Sequence, residues 1–525
     1  MTPHVYPKGC FFKSLDDIKN KKVTIMGLGL NGGGEACVRF FSRYGAYITV
    51  TDKKTEEELA PTLLSLRQDS DIDFSKIKFV LGKHELADFQ NADCVIKNPG
   101  VKFEGNEYLA AAKNIESDIS LFLNFTKAPI IAVSGSKGKS STVSAIHYGL
   151  CQAGFKAFLG GNITVSPLTF LEQTDETTPV VLELSSWQLA DLRGRGALKP
   201  KIAVLTKIVP DHQNWYGGME PYVADKKLIY ADQTSDGFTL CNADDGWGKV
   251  FAAETKAKVI WYGNNADVPV RVTDAVVPGI HMRQNLTNAA IVMTLMGVTP
   301  DDAKKILSAY PGIEHRLEYF FSWNYSAACV NNTKKTNASR SSAMNTPVPD
   351  AQSMVTEFRF YNDTTATVPD AAVAALESFS EKPVLFAGGN DKNLDFTPFA
   401  AAAHKASAIY LLEGKGTDRM IPLLTERGIS FSGPFNSLEA LLVAFKNDIE
   451  AGNIMVCCSS DDAENAGSGC FLEKGAATQE KAQKTTGKSI VNVVFSPGAT
   501  SFGMFTNEFD RGHKFKKLVQ EIFAN

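Results

Sequence analysis

With 525 residues the chain is too long for one ordinary core, and its length suggests roughly three or four domains. A composition of 44% hydrophobic and 21% charged residues with a net charge of −4 describes a soluble globular protein and argues against a general nucleic-acid binder. No apolar run reaches the roughly 18 residues needed to span a bilayer, and the first residues lack an apolar signal core. Membrane insertion is therefore not expected. Nine cysteines without a CxxC pair or a histidine cluster fit a reducing cytoplasm better than a disulfide framework or a zinc site.

Lys22-Val23-Thr24-Ile25-Met26 reads as a first strand, followed by Gly27-Leu28-Gly29-Leu30-Asn31-Gly32 and a helical stretch to Gly45. A second strand ends at Asp52, about twenty positions beyond Gly32, where a dinucleotide fingerprint places an acid for a ribose hydroxyl. No hydride-handling set follows, so the first domain is expected to hold a nucleotide-like handle on a substrate. It closes with the strand Asp93–Lys97 and the Pro99-Gly100 turn.

The apolar run Pro129–Val133 reads as a buried parallel strand, and Ser134-Gly135-Ser136-Lys137-Gly138-Lys139-Ser140-Ser141 leads from it into a helix. Strand, glycine loop and helix form a phosphate cradle. Loop N–H groups and the helix dipole meet an anion, Lys139 neutralises terminal phosphates, and Ser140 can reach Mg2+. Val133 replaces the first glycine of the usual pattern, so the loop is a variant one. The ligand it predicts is ATP or GTP. Farther on, Glu183 ends the strand Val180–Leu182 and is well placed for Mg2+; Asp211-His212 follows the strand Ile202–Thr206, and Lys226 lies fifteen residues beyond Asp211.

The stretches GLGLNG, GSKGKSS, GGNI, LELSSWQL, DH with YVADK, NADD, NLTNAA, HRLE, YNDTTAT, FAGGNDK and SPGATSFGMFTNEFDRG, in this order, resemble the Mur ligase family from about residue 21 onward. Within it they are most similar to the member that adds D-glutamate to UDP-N-acetylmuramoyl-L-alanine in peptidoglycan precursor synthesis. The resemblance implies an α/β fold of three domains with largely parallel sheets: a Rossmann-like UDP-substrate domain (1–128), a central P-loop ATPase domain (129–312), and a Rossmann-like amino-acid-binding domain (313–525). Two polar tracts, near 322–356 and 460–488, interrupt the match and read as solvated insertions.

The resemblance also assigns roles. ATP and Mg2+ are the implied cofactors, and Lys139, His212 and Lys226 the catalytic residues. Gly135, Ser136, Lys137, Gly138, Lys139, Ser140, Ser141, Asn285, Asn288, Arg316 and Asp363 would hold ATP. Ser140, Glu183, His212 and a CO2-carbamylated Lys226 would hold Mg2+. Leu30, Asn31, Asp52 and Lys53 fall where the family contacts UDP, and Asn162 and Ser185 where it meets the muramoyl group. Thr367, Lys392, Ser501 and Phe502 fall where it positions D-glutamate. The implied activity is ATP-dependent amide formation through an acyl phosphate, in a cytoplasmic monomer whose third domain closes over the site to exclude water. A related amino-acid or folylpolyglutamate ligase, a nicotinamide oxidoreductase and a non-catalytic ATP scaffold are the rival readings.

Overall fold

The computed structural model describes residues 3–264, 266–326, 355–391, 393–454 and 488–524. The chain forms two compact units, one of Met1–Ala275 with Ile280–Tyr310 and the other of Val276–Gly279 with Pro311–Asn525.

The first unit holds two all-parallel sheets. Strands β1 (Lys22–Met26), β2 (Tyr47–Asp52), β3 (Ile77–Leu81), β4 (Cys94–Lys97) and β5 (Ile115–Glu116) are ordered β3-β2-β1-β4-β5. Strands β6 (Ile130–Ser134), β7 (Phe158–Gly161), β8 (Val180–Glu183), β9 (Ile202–Leu205), β10 (Phe238–Asn242) and β11 (Lys258–Tyr262) are ordered β11-β10-β9-β6-β8-β7. Every residue of β6, β8 and β9 is buried, which is why these strands read as continuous apolar runs rather than alternating ones. A single apolar core runs from one sheet to the other, and Phe122 meets Phe170 edge-on at 5.8 Å along it. The first domain opens its helix α1 (Gly33–Arg43) after β1; the second places α2 (Lys139–Gln152) after β6, α3 (Ser186–Ala190) after β8, and then α4 (Met219–Lys227) and α5 (Ile280–Leu295).

The second unit contains β12 (Glu318–Ser326), β13 (Val355–Asn362), β14 (Val384–Gly388), β15 (Ala408–Leu412), β16 (Ser432–Phe435) and β17 (Lys488–Phe495) in the order β12-β13-β17-β14-β15-β16. Among the described residues only the β12–β13 strand pair of this sheet is antiparallel. The fold class is thus α/β with three largely parallel sheets, as expected. The polar tract, however, was drawn too wide. Ser322–Ser326 continue β12 and Val355–Thr356 open β13, because Phe321, Trp323 and Tyr325 alternate with polar residues and Trp323 packs at 5.5 Å on Phe358. Residues 327–354 of that tract, and 460–487 of the second, lie outside the described residues.

The C-terminal helix α6 (Glu508–Phe523) buries Phe515, Val519 and Phe523 against this sheet. Its Gly512 faces His315 and Thr364 so closely that a methyl group there would collide with His315 Nδ1 and Thr364 Oγ1. Both are buried, so neither can swing aside cheaply. Gly512→Ala is therefore expected to destabilise this unit by about 1–3 kcal/mol through overpacking. Chemical denaturation monitored by circular dichroism checks it, and an unchanged midpoint would contradict the close approach.

Candidate active site

The site grows out of the strand–loop–helix at β6–α2. At Gly135 a side chain would collide with Thr206 Oγ1, and at Gly138, where φ is +91°, one would come within 2.7 Å of Asn285 Oδ1. Both glycines are therefore required by space as well as by backbone angle. Lys139, first residue of α2, turns back so that Nζ donates to the carbonyls of Gly135 and Ser136, each at 3.0 Å. The Ser136 and Lys137 amides donate to Lys207 O, and Ser136 Oγ donates to Val209 O at 2.8 Å while Tyr222 OH donates to it at 3.0 Å. Thus the Ser136 side chain anchors the loop inward, Lys137 is exposed, and Ser140 and Ser141 lie half-buried in the first turn of the helix.

Around this loop the fold gathers residues far apart in sequence. Glu183, at the end of β8 and 1% exposed, accepts from Asn162 Nδ2 at 3.1 Å through Oε1, whereas its Oε2 is buried with no hydrogen-bond partner. Lys226 of α4, also 1% exposed, donates to Gly135 O at 2.8 Å and lies 4.5 Å from the Tyr222 ring centroid. Burial first, and then the neighbouring Lys139 ammonium, push its pKa down to about 7. Lys139 is depressed too, mainly by burial, against the opposing pull of Glu183 and Asp211.

His212 has a left-handed backbone (φ 51°), and its ring sits 4.9 Å from Trp187 and 6.3 Å from Tyr222. Ser185 caps α3 in a reciprocal box with Gln188. On α5, Asn285 faces Gly138, and Asn288 is buried with an unpartnered Oδ1. The buried Glu183 oxygen without a donor is a carboxylate ligand open to a small divalent cation, and so is suited to hold Mg2+. Trp187, Thr206 and Tyr222 went unassigned in the sequence. Only Tyr222 left a signal, one helical turn before Lys226.

The other predicted residues occupy two further places. Asp52 and Lys53 line a cavity of about 570 Å³ with Gly27, His84, Gly100 and Tyr108, beyond the carboxyl ends of β1 and β2, where open parallel sheets bind ligands. The Asp52 carboxylate is already engaged there, accepting from the Gly29 and Lys54 amides at 3.0 and 2.9 Å. Leu30 and Asn31 stand exposed on the glycine loop.

In the second unit Arg316 is exposed, while Asp363 is buried, accepting from Leu317 N at 3.1 Å and Ser496 Oγ at 2.7 Å. Burial pushes its pKa up to about 7. Expected as an ATP ligand, Asp363 here pins the loop that presents Arg316. Ser501 is buried, Thr367 half-buried and Phe502 exposed, with Phe502 O accepting from Asn390 Nδ2. Lys392 lies outside the described residues.

Residues 21–119 match the Mur ligase MurD-like N-terminal domain, and residues 133–308 the Mur ligase middle domain. The UDP-N-acetylmuramoylalanine-D-glutamate ligase of Treponema pallidum is 40% identical, over 96% of this chain and 98% of its own. The enzyme of the same name from Borreliella afzelii is 35% identical, over 97% and 99%. Among solved structures, the UDP-N-acetylmuramate-alanine ligase of Thermotoga maritima aligns with a TM-score of 0.47 at 14% identity, over 96% of this chain and all of that one. Two matched domains and identity sustained along the whole chain establish that this protein belongs to the Mur ligase family.

Proposed function

We propose that the chain is an ATP-dependent ligase that joins D-glutamate to UDP-N-acetylmuramoyl-L-alanine. The observation that carries this reading is the meeting of Lys139, Lys226 and the partnerless Glu183 oxygen around a glycine loop that opens a helix. A carboxylate is a poor electrophile, so the alanyl carboxylate is first phosphorylated by ATP and the acyl phosphate is then attacked by the amine of D-glutamate. For such a transfer the protein supplies positioning and charge neutralisation more than covalent help.

In this reading Gly135, Ser136, Lys137, Gly138, Ser140, Ser141, Asn285, Asn288, Arg316 and Asp363 hold ATP, the last two on the family resemblance alone. Lys139 offsets the charge of the transferring phosphoryl group. Asn162 and Ser185 orient the muramoyl end, while Leu30, Asn31, Asp52 and Lys53 hold UDP. Thr367, Lys392, Ser501 and Phe502 receive D-glutamate. Mg2+, held by Ser140, Glu183, His212 and a carbamylated Lys226, would supply neutralisation of phosphate charge when bound. We place three functional domains at 1–128, 129–312 and 313–525, in a monomer working in the cytoplasm.

An acceptor panel tests the reading directly. Phosphate release is expected only with ATP, Mg2+, UDP-N-acetylmuramoyl-L-alanine and D-glutamate together, with product mass confirming the new amide. Equal turnover with L-lysine, meso-diaminopimelate or L-alanine would sink the D-glutamate assignment.

A further inference from the structure

Residues 3–11, silent in the sequence, form an arm that joins the two sheets of the first unit. Tyr6 N donates to Arg193 O at 2.9 Å and Gly9 N to Arg195 O at 2.8 Å, while Phe11 N donates to Glu116 Oε1 at 2.9 Å. Beneath the arm lie two buried ion pairs, Arg195–Glu116 at 2.8 Å and Lys97–Asp191 at 3.0 Å. Tyr6 OH donates to Asp191 Oδ1 at 3.2 Å, and the Arg195 guanidinium stands 4.3 Å from the Tyr6 ring.

Lys97 is the distinctive member. Its ammonium donates to the carbonyls of Asn98 (3.1 Å) and Val101 (2.8 Å) and forms an ion pair with Asp191 Oδ2 at 3.0 Å. Those carbonyls belong to the Asn98–Val101 turn, of which Gly100 and Val101 line the cavity of about 570 Å³ that holds Asp52 and Lys53. Asp191 ends α3, whose Trp187 packs on His212 and whose capping residue Ser185 follows Glu183 by two positions. One ammonium thus ties the wall that faces one end of the substrate to the helix beside the other.

Stability alone does not call for this pair, since a buried ion pair is commonly replaceable by apolar groups of similar volume without loss. What two apolar groups cannot do is hold the two turn carbonyls.

We propose that Lys97 is a positioning residue for ligation: it fixes the Asn98–Val101 turn against α3, so that a precursor seated by its UDP end presents its carboxylate at Glu183 and His212. This deepens the D-glutamate ligase reading and rests on it. The acceptor panel on wild-type protein tests that reading by itself; the variants below are measured against an active wild type.

Lys97→Met and Asp191→Leu singly each strand a buried charge and are expected to lower Tm. The double variant Lys97→Met/Asp191→Leu removes both charges, and its Tm is expected to return to near the wild-type value. Its KM for UDP-N-acetylmuramoyl-L-alanine should nevertheless rise about tenfold or more, with kcat within about twofold and the KM for ATP unchanged, because a loosened turn weakens the seating of the precursor alike in ground and transition states. Calorimetric titration of the precursor should show the same loss in Kd. A double variant with wild-type KM, or one in which both KM values rise together, overturns the proposal. If the double variant does not fold, Tyr6→Phe keeps the ring under Arg195 and frees Asp191 from the hydroxyl; a precursor KM raised a few-fold at constant kcat supports the proposal, and an unchanged KM overturns it.

Discussion

Lys139→Ala is expected to lower phosphate release on the order of a hundredfold or more, the scale seen when one charge-stabilising group is removed from a reacting centre. In the structure the ammonium closes the loop on itself through the Gly135 and Ser136 carbonyls, in a position that an incoming phosphate would compete for. Burial already depresses its pKa, so the charge is held at some cost and is free to be repaid by an anion. The loss should fall on kcat more than on the KM for D-glutamate, whose proposed residues lie in the other unit. A near-normal rate would mean that the loop does not hold the reacting phosphates.

An equally large effect is expected at Lys226. Its bland fate would be a solvated helix lysine, but it is buried and its amine is depressed to about 7. A neutral amine at working pH can react with CO2, and carbamylation converts a cation facing the Lys139 charge into an anion able to help hold a metal beside Glu183. Lys226→Ala should abolish most activity, and added short carboxylic acids should restore part of it by filling the vacated anion site. At constant dissolved CO2, activity should climb as pH rises from about 6 to 8, since the neutral form is gained through the folded-state pKa.

The sign for stability follows from the same shift. In the unmodified protein the burial penalty is absent above the unfolded value of 10.5 and grows as pH falls, reaching its full size below about 7. A fully active alanine variant, together with no mass gain of one CO2 on wild-type protein kept in bicarbonate, would defeat the idea.

Much of this site was legible because its signals are local. The glycine spacing of 135–139, the buried run ahead of it and the helix after it are contiguous, so strand, loop and anion cradle follow from neighbouring residues. Likewise β6, β8 and β9 announced themselves as apolar runs because both faces of a parallel sheet are covered. The strand ends at Ser322–Ser326 were misread because their aromatic alternation abuts a polar tract, and composition over the whole stretch outweighed a period of two.

By itself, then, the sequence determined the class of fold, the phosphate loop and the order of the motifs, since each is written in residues a few positions apart. Only the tertiary structure decided what those residues face. Lys226 reaches Gly135 across 91 residues, Asp363 meets Ser496 across 133, and Tyr6 meets Asp191 across 185. Burial, and with it the depressed Lys226 amine, the raised Asp363 carboxyl and the ion pairs under the N-terminal arm, comes from chain segments brought together by packing. Desolvation depends on what surrounds a group in space, and no window along the chain contains that information.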